Sequence, residues 1–120
     1  MDARELVKYT CEALLERKGH EIEVLHIEQL TTLAEYFVIC SATSTTQVKA
    51  LADNVEFRLK NDHGVMPHYV EGFESSSWIL QDYGSVLVHI FLPETRDYYR
   101  LENLWKDGEK VSLADLGVEE

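Results

Sequence analysis

The sequence contains little cysteine, no long apolar run and no recognisable targeting segment. Its two cysteines, Cys11 and Cys40, lie within apolar patterns and form no spaced framework. They are predicted to be small core residues of a protein in the reducing cytosol, with a mutual disulfide or a reactive thiol as the alternative. No stretch approaches the roughly 20 apolar residues of a membrane span. The N-terminus lacks a signal-peptide or transit-peptide pattern, so a cytoplasmic protein is expected.

Basic residues are also scarce. The 120 residues include 22 Asp and Glu but only 11 Lys and Arg, which gives a net charge of -11. A surface that binds the phosphate backbone of DNA or RNA needs clustered Lys and Arg, and this composition argues against one. A basic protein partner would be attracted to the chain. The alternative is that the charge only keeps the domain soluble.

Residue patterns of catalysis and of cofactor or metal binding are missing as well. The six glycines are dispersed and form no phosphate-binding loop, and the serines at 75–77 lack a nucleophile-elbow context. Glu21 and Glu23 have no third metal ligand nearby and are interpreted as a solvated strand start. No histidine pair has metal-ligand spacing. His89, inside an apolar strand, is expected to be a hydrogen-bonded structural residue.

The most informative stretch runs from Trp78 to Trp105. Two apolar runs flank residues 82–85, a turn-forming segment, and predict a β-hairpin with Asp82 as its turn former. Pro93 ends the second strand and is suited to the first position of a helix. Three residues of that helix are spaced to share one face: Tyr98, Leu101 and Trp105.

The preceding residues are predicted to supply the other half of the core. Asp2 and Glu5 form a capping arrangement for an N-terminal helix. Ser44 and Gln47 form a second one, for a helix that Gly64 ends. Strands are predicted at 21–27, at 36–40 and, as a Pro-led edge strand, at 68–72.

These elements predict an α/β fold with a mixed, mostly five-stranded sheet and helices packed on it. The buried strand at 36–40, the second helix and the strand that follows it are expected to form a right-handed parallel unit, with antiparallel pairs on either side. Residues 1–107 are expected to form the domain. Residues 108–120 are expected to be an acidic C-terminal tail that packs loosely or frays.

A series of short motifs follows one another along residues 3–107. They are Tyr36-Phe37-Val38-Ile39, Gln47-Val48 with Ala50, Glu71-Gly72, Trp78, Asp82-Tyr83-Gly84, Val88-His89, and Arg96 with Tyr99, Leu101-Glu102 and Leu104-Trp105. In this order and spacing they resemble bacterial members of the ribosomal silencing factor family, also called the Iojap-like family. Two positions depart from the family pattern, because His26 and Glu35 stand where many members carry Asp.

The resemblance implies a non-enzymatic factor with a nucleotidyltransferase-like topology and no cofactor. Such a factor binds the large ribosomal subunit through its protein fourteen, blocks association with the small subunit and so represses translation. An enzymatic alternative is disfavoured, because residues 42–45 lack the glycine of a nucleotidyltransferase loop and carboxylates for Mg²⁺ are few. A homo-oligomeric interaction module, such as a homodimer paired through strand edges, is a further alternative.

Docking is predicted on one face of the sheet, around the hairpin and the adjoining helix. Trp78, Leu80 and Asp82 project to one side of their strand. Trp78 would be a buried anchor, and Asp82 or Glu71 would pair with Lys or Arg of the partner. Further candidates, each with core packing as the alternative, are Tyr83, Tyr99, Leu104 and Trp105.

Overall fold

Two long helices begin at side-chain caps. Helix α1 (Ala3–Glu16) starts at Asp2, which exchanges hydrogen bonds with Glu5 in the predicted capping box. Helix α2 (Thr45–His63) starts at Ser44, whose Oγ accepts a hydrogen bond from the backbone N–H of Gln47. It ends, as predicted, at Gly64 in the left-handed conformation. The structure, a computed structural model, describes residues 1–120.

A single six-stranded sheet runs through the molecule, in the order β3-β4-β5-β2-β1-β6. Its strands are β1 (His20–His26), β2 (Tyr36–Ser41), β3 (Tyr69–Glu71), β4 (Trp78–Asp82), β5 (Val86–Phe91) and β6 (Glu109–Val111). The mixed α/β class, the hairpin of β4 and β5 and the edge position of β3 are confirmed. No helix is long and apolar enough to cross a lipid bilayer.

The predicted parallel unit is wrong in its second strand. The parallel partner of β2 is β5, whereas β3 lies at the sheet edge and pairs antiparallel with β4. The physical reason is burial: β2 is buried along its whole length and requires an apolar neighbour, which β5 provides and the largely exposed β3 does not. Helix α2 therefore leads to the edge, and the chain returns through β4 and β5.

The C-terminal residues are part of the fold, contrary to the expectation of a loose or frayed tail. Residues 109–111 form β6, which pairs antiparallel with β1 and makes the sheet six-stranded instead of five-stranded. Val111, Leu116 and Val118 are buried in the main core. Burial of these apolar side chains stabilises the segment, although its overall composition is polar and indicates a loose tail.

Helices α1 and α2 cover one face of the sheet, called here the covered face. Its core of 23 buried residues is mostly aliphatic and includes Leu14 of α1, Leu51 of α2 and Val38 of β2. Cys11 and Cys40 are free and buried in it, as predicted, and burial raises the pKa of each thiol to about 12. The covered face therefore supplies most of the buried apolar surface.

Candidate functional site

The opposite face of the sheet, called here the open face, is only partly covered. The strand register aligns Trp78, Leu80 and Asp82 of β4 with Phe91, His89 and Leu87 of β5. Two short helices, α3 (Pro93–Tyr99) and α4 (Leu101–Leu104), lie after β5, and Leu101 and Trp105 pack against this face. Eleven helical residues are too few to cover six strands, so part of the face stays accessible.

Aromatic side chains connect the open face to α3 and α4. The ring of Trp78 lies 4.8 Å from that of Phe91 and 4.7 Å from that of Tyr99. The ring of Phe37 lies 5.4 Å from that of Trp105, edge to face. Rings at these distances attract one another beyond their hydrophobic burial. We call Phe37, Trp78, Phe91, Tyr99 and Trp105 the aromatic cluster.

His89 fixes the orientation of Trp78 within this cluster. Its Nδ1 accepts a hydrogen bond of 3.2 Å from the indole Nε1–H of Trp78, so the neutral ring carries its proton on Nε2. His89 is buried, and burial lowers its pKa to about 4. The prediction of a hydrogen-bonded structural histidine is thereby confirmed.

A shallow hollow of about 320 Å³ lies beside the cluster, where β4 begins and α3 passes. It is lined by Trp78, Tyr98 and Tyr99 together with Ser77, Glu94 and Thr95. Tyr98 is 81% exposed and Tyr99 is 49% exposed. Aromatic walls next to a carboxylate can receive an Arg or Lys side chain, through contact of the cation with the rings and pairing with the acid.

Most of the predicted docking residues lie on or beside the open face. Trp78, Leu80 and Trp105 are half-buried, whereas Leu104 is 71% exposed. Glu71 is exposed on the edge strand β3, opposite Leu80, and makes no ion pair within the chain. These side chains are available for contact, and their role in docking stays a prediction.

Two predicted docking residues have structural roles. Tyr83 is only 6% exposed and belongs to the core of the covered face, where burial raises its pKa, so the structure favours the core packing given as its alternative. It belongs to the turn after β4, beyond the alternating strand positions. Asp82 is half-buried and its Oδ1 accepts a hydrogen bond of 2.7 Å from Gly84 N, so it is the predicted turn former.

The hollow was not predicted, because the residue spacing in this segment indicates one continuous helix. Arg100 has a left-handed backbone, with φ of 50°, and separates α3 from α4. Tyr98 consequently does not share a packed face with Leu101 and Trp105, and it is exposed instead. The nearby Glu94 also lines the hollow, which no spacing rule indicated.

The Glu21–Glu23 pair does not form a metal site in this structure. Glu21 lies at a bulge of β1, where the register shifts between His20 and Glu23, and it has a positive φ of 47°. Glu23 lies 3.9 Å from Lys110. No group of three or more His, Cys, Asp or Glu side chains is arranged to hold a metal ion.

By its fold and its open face, the protein is a small mixed α/β domain whose partly open sheet face carries aromatic side chains. The family model described as ribosomal silencing factor during starvation matches residues 1–120. The ribosomal silencing factor of Chromobacterium violaceum is 43% identical over 114 residues, covering 95% of this chain and 92% of that protein. This chain belongs to the ribosomal silencing factor family, and the resemblance found in its motifs is confirmed.

A solved structure and a mitochondrial protein extend this comparison. A crystal structure of a protein from Chromobacterium violaceum is 43% identical, with a TM-score of 0.85 over 93% of this chain and 92% of that one. The mouse protein named mitochondrial assembly of ribosomal large subunit protein 1 is 34% identical over 94 residues. These residues are 77% of this chain and 41% of the mouse protein, so the shared part is one region of a longer chain.

Proposed function

We propose that this chain binds the large ribosomal subunit through its protein fourteen and thereby blocks association with the small subunit, repressing translation. Membership of the ribosomal silencing factor family supports a role in silencing. The name of the mouse relative, which refers to the ribosomal large subunit, supports that subunit as the partner. A cytoplasmic location is part of this proposal.

The location of the docking surface is inferred from the exposed apolar part of the open face. Tyr99 and Leu104 keep 49% and 71% of their surface accessible, next to the half-buried Trp78 and Trp105. Large aromatic side chains around a hollow are the usual anchors of protein interfaces. These side chains would become buried only when a partner covers the face.

The charges around this surface favour a basic partner. Glu94 lines the hollow, and Glu71 lies on the adjacent sheet edge without an ion-pair partner within the chain. The net charge of -11 adds long-range attraction for a basic ribosomal protein. In this proposal silencing is steric, because a protein that occupies the joining surface needs affinity and no reaction.

Sedimentation with purified ribosomal subunits tests this function. The chain is mixed with large or small subunits on a density gradient, and the complementary subunit is then added. We expect comigration with large subunits only and fewer joined ribosomes. Failure to comigrate at low salt, or comigration with undiminished joining, would contradict the proposal.

A homo-oligomeric module is the alternative use of the same face. The edge strands β3 and β6 have three residues each, so they offer few unpaired backbone groups for edge pairing. A second copy would instead cover the exposed side chains of the open face. Sedimentation equilibrium over a range of concentrations distinguishes this alternative from the docking proposal. Only the homo-oligomeric module predicts self-association, which large subunits would reduce by competing for the same face.

A further inference from the structure

A polar cavity of about 730 Å³ lies between the start of β1, the end of β2 and the segment of α3 and α4. Its walls include His20 and Glu21 of β1, the loop residue Thr43, and Arg96 of α3. The volume falls within the range of roughly 300–1,000 Å³ typical of small-molecule sites. The docking proposal makes no use of this cavity.

Positive charge is concentrated around this cavity. Four of the 11 Lys and Arg residues line it, in a chain with twice as many acidic as basic residues: Arg96, Arg100, Lys106 and Lys110. Three carboxylates also line it, but that of Glu102 is paired with Arg96 Nε at 3.0 Å. The lining therefore holds four cations and three carboxylates, a small excess of positive charge on an acidic protein.

Arg96 is held rigidly at the wall and keeps part of its guanidinium unused. It is 8% exposed, and its Nη1 donates hydrogen bonds to the Glu21 carbonyl at 2.7 Å and to Ser41 Oγ at 2.8 Å. The bulge at Glu21 is what brings that carbonyl into reach. The Nη2 atom makes no hydrogen bond within the chain and is not enclosed, so its two N–H groups can meet a ligand.

Two further cations of the cavity are free of ion pairs. Arg100 donates from Nε to the Asp97 carbonyl but contacts no carboxylate, and Lys106 makes no ion pair. Arg100 also adopts a positive φ of 50°, a conformation that costs energy for a residue other than glycine. That conformation turns the chain between α3 and α4 and brings Arg96, Arg100 and Lys106 to one cavity.

We propose that this cavity is a binding site for a small molecule carrying linked phosphate groups, such as pyrophosphate or a nucleoside polyphosphate. Phosphate oxygens are the partners that a fixed guanidinium and adjacent cations recognise best. A concave site with a buried Arg96 admits a terminal phosphate, whereas the backbone of an RNA duplex would reach only the exposed cations Arg100, Lys106 and Lys110. The site is separate from the docking proposal and involves no reaction.

Calorimetric titration of the full chain with inorganic pyrophosphate and with ATP, both without divalent metal, tests the proposal. The cavity variant combines Arg100→Asn, which tolerates the left-handed backbone, with Lys106→Gln. The matched control combines Lys49→Gln with Lys60→Gln, which removes the same charge from exposed positions on α2. Circular dichroism melting checks that both variants fold.

We expect one site per chain, with affinity reduced about tenfold or more in the cavity variant and unchanged in the control. Equal affinity for pyrophosphate and ATP would identify phosphate as the whole determinant, whereas tighter ATP binding would add a nucleoside contact. Absence of binding at millimolar ligand, or equal weakening in both variants, would overturn the site. Binding of an RNA duplex without pyrophosphate or ATP binding would overturn it too.

Discussion

The two faces of the sheet are built from different side chains, although the same strands supply both. The covered face buries aliphatic residues under helices α1 and α2, of 14 and 19 residues. The open face buries a smaller cluster of six residues, four of them aliphatic, and adds aromatic residues and His89 under helices of seven and four residues. Long amphipathic helices can close a face and stabilise the fold, whereas short ones leave large rings accessible. We infer that stability depends mainly on the first face and binding on the second.

The largest effect is expected on the covered face. Leu51→Ala removes a fully buried side chain between α2 and the sheet, and it should lower the free energy of unfolding by about 3 kcal/mol. Leu104→Ala, at a position 71% exposed, should change it by less than about 0.5 kcal/mol. Urea denaturation measures both. Similar losses for the two variants would remove the distinction between the faces.

The next effect concerns binding by the open face. Trp78→Ala removes the ring that contacts Phe91 and Tyr99, and it should weaken binding to large subunits by about 2 kcal/mol or more. Phe57→Ala, on the outer side of α2, is the matched aromatic control and should leave binding unchanged. Gradient sedimentation at several concentrations gives the affinities. Full binding by a folded Trp78→Ala protein would exclude Trp78 as an anchor.

A smaller effect is expected from pH. The pKa of His89 is lowered to about 4 in the folded chain from its ordinary 6.5, because burial disfavours the charged ring. The unfolded chain therefore binds the proton more readily, so stability from this group is complete above pH 6.5 and is lost as pH falls toward 4. The loss between about pH 7 and pH 5 should be about 2 kcal/mol.

The variant His89→Gln isolates this effect, because it keeps an acceptor for Trp78 Nε1 but does not titrate. Unfolding is measured at both pH values for the two proteins. The wild type should lose more stability than the variant on acidification. Equal losses would show that His89 is not the responsible group.

The smallest effect is expected from charge at the rim. Glu71→Lys on β3 should weaken binding by up to about 1 kcal/mol, and the loss should shrink with added salt. Asp53→Lys makes the same charge change at an exposed position of α2. If both variants weaken binding equally, only net charge matters, and the open face is not the site of contact.

Much of the fold could be predicted, because local rules determine it. The cap at Asp2, the left-handed Gly64 and the turn at Asp82 depend on neighbours a few residues away. Strand order could not be predicted in the same way. The pairing of β2 with β5 depends on competition among distant strands, which the pattern of a single strand does not reveal.

The candidate surfaces were predictable only in part. Alternation along β4 correctly placed Trp78 and Leu80 on one side of the strand. Tyr83 was a candidate from its motif alone, and a motif does not separate a core position, where Tyr83 lies, from a docking position. The break at Arg100, a residue that rarely adopts a positive φ, had no sequence signal, and both the hollow and the cationic cavity border the segment it interrupts.

Site-specific photo-crosslinking on large subunits tests the central claim most directly, that the open face is the docking face. A photoreactive amino acid replaces Leu104 beside the open face or Phe57 on α2, both exposed positions that should tolerate it. We predict a crosslink from position 104 to protein fourteen of the large subunit and none from position 57. Crosslinks to the large subunit from position 57 alone would contradict the account.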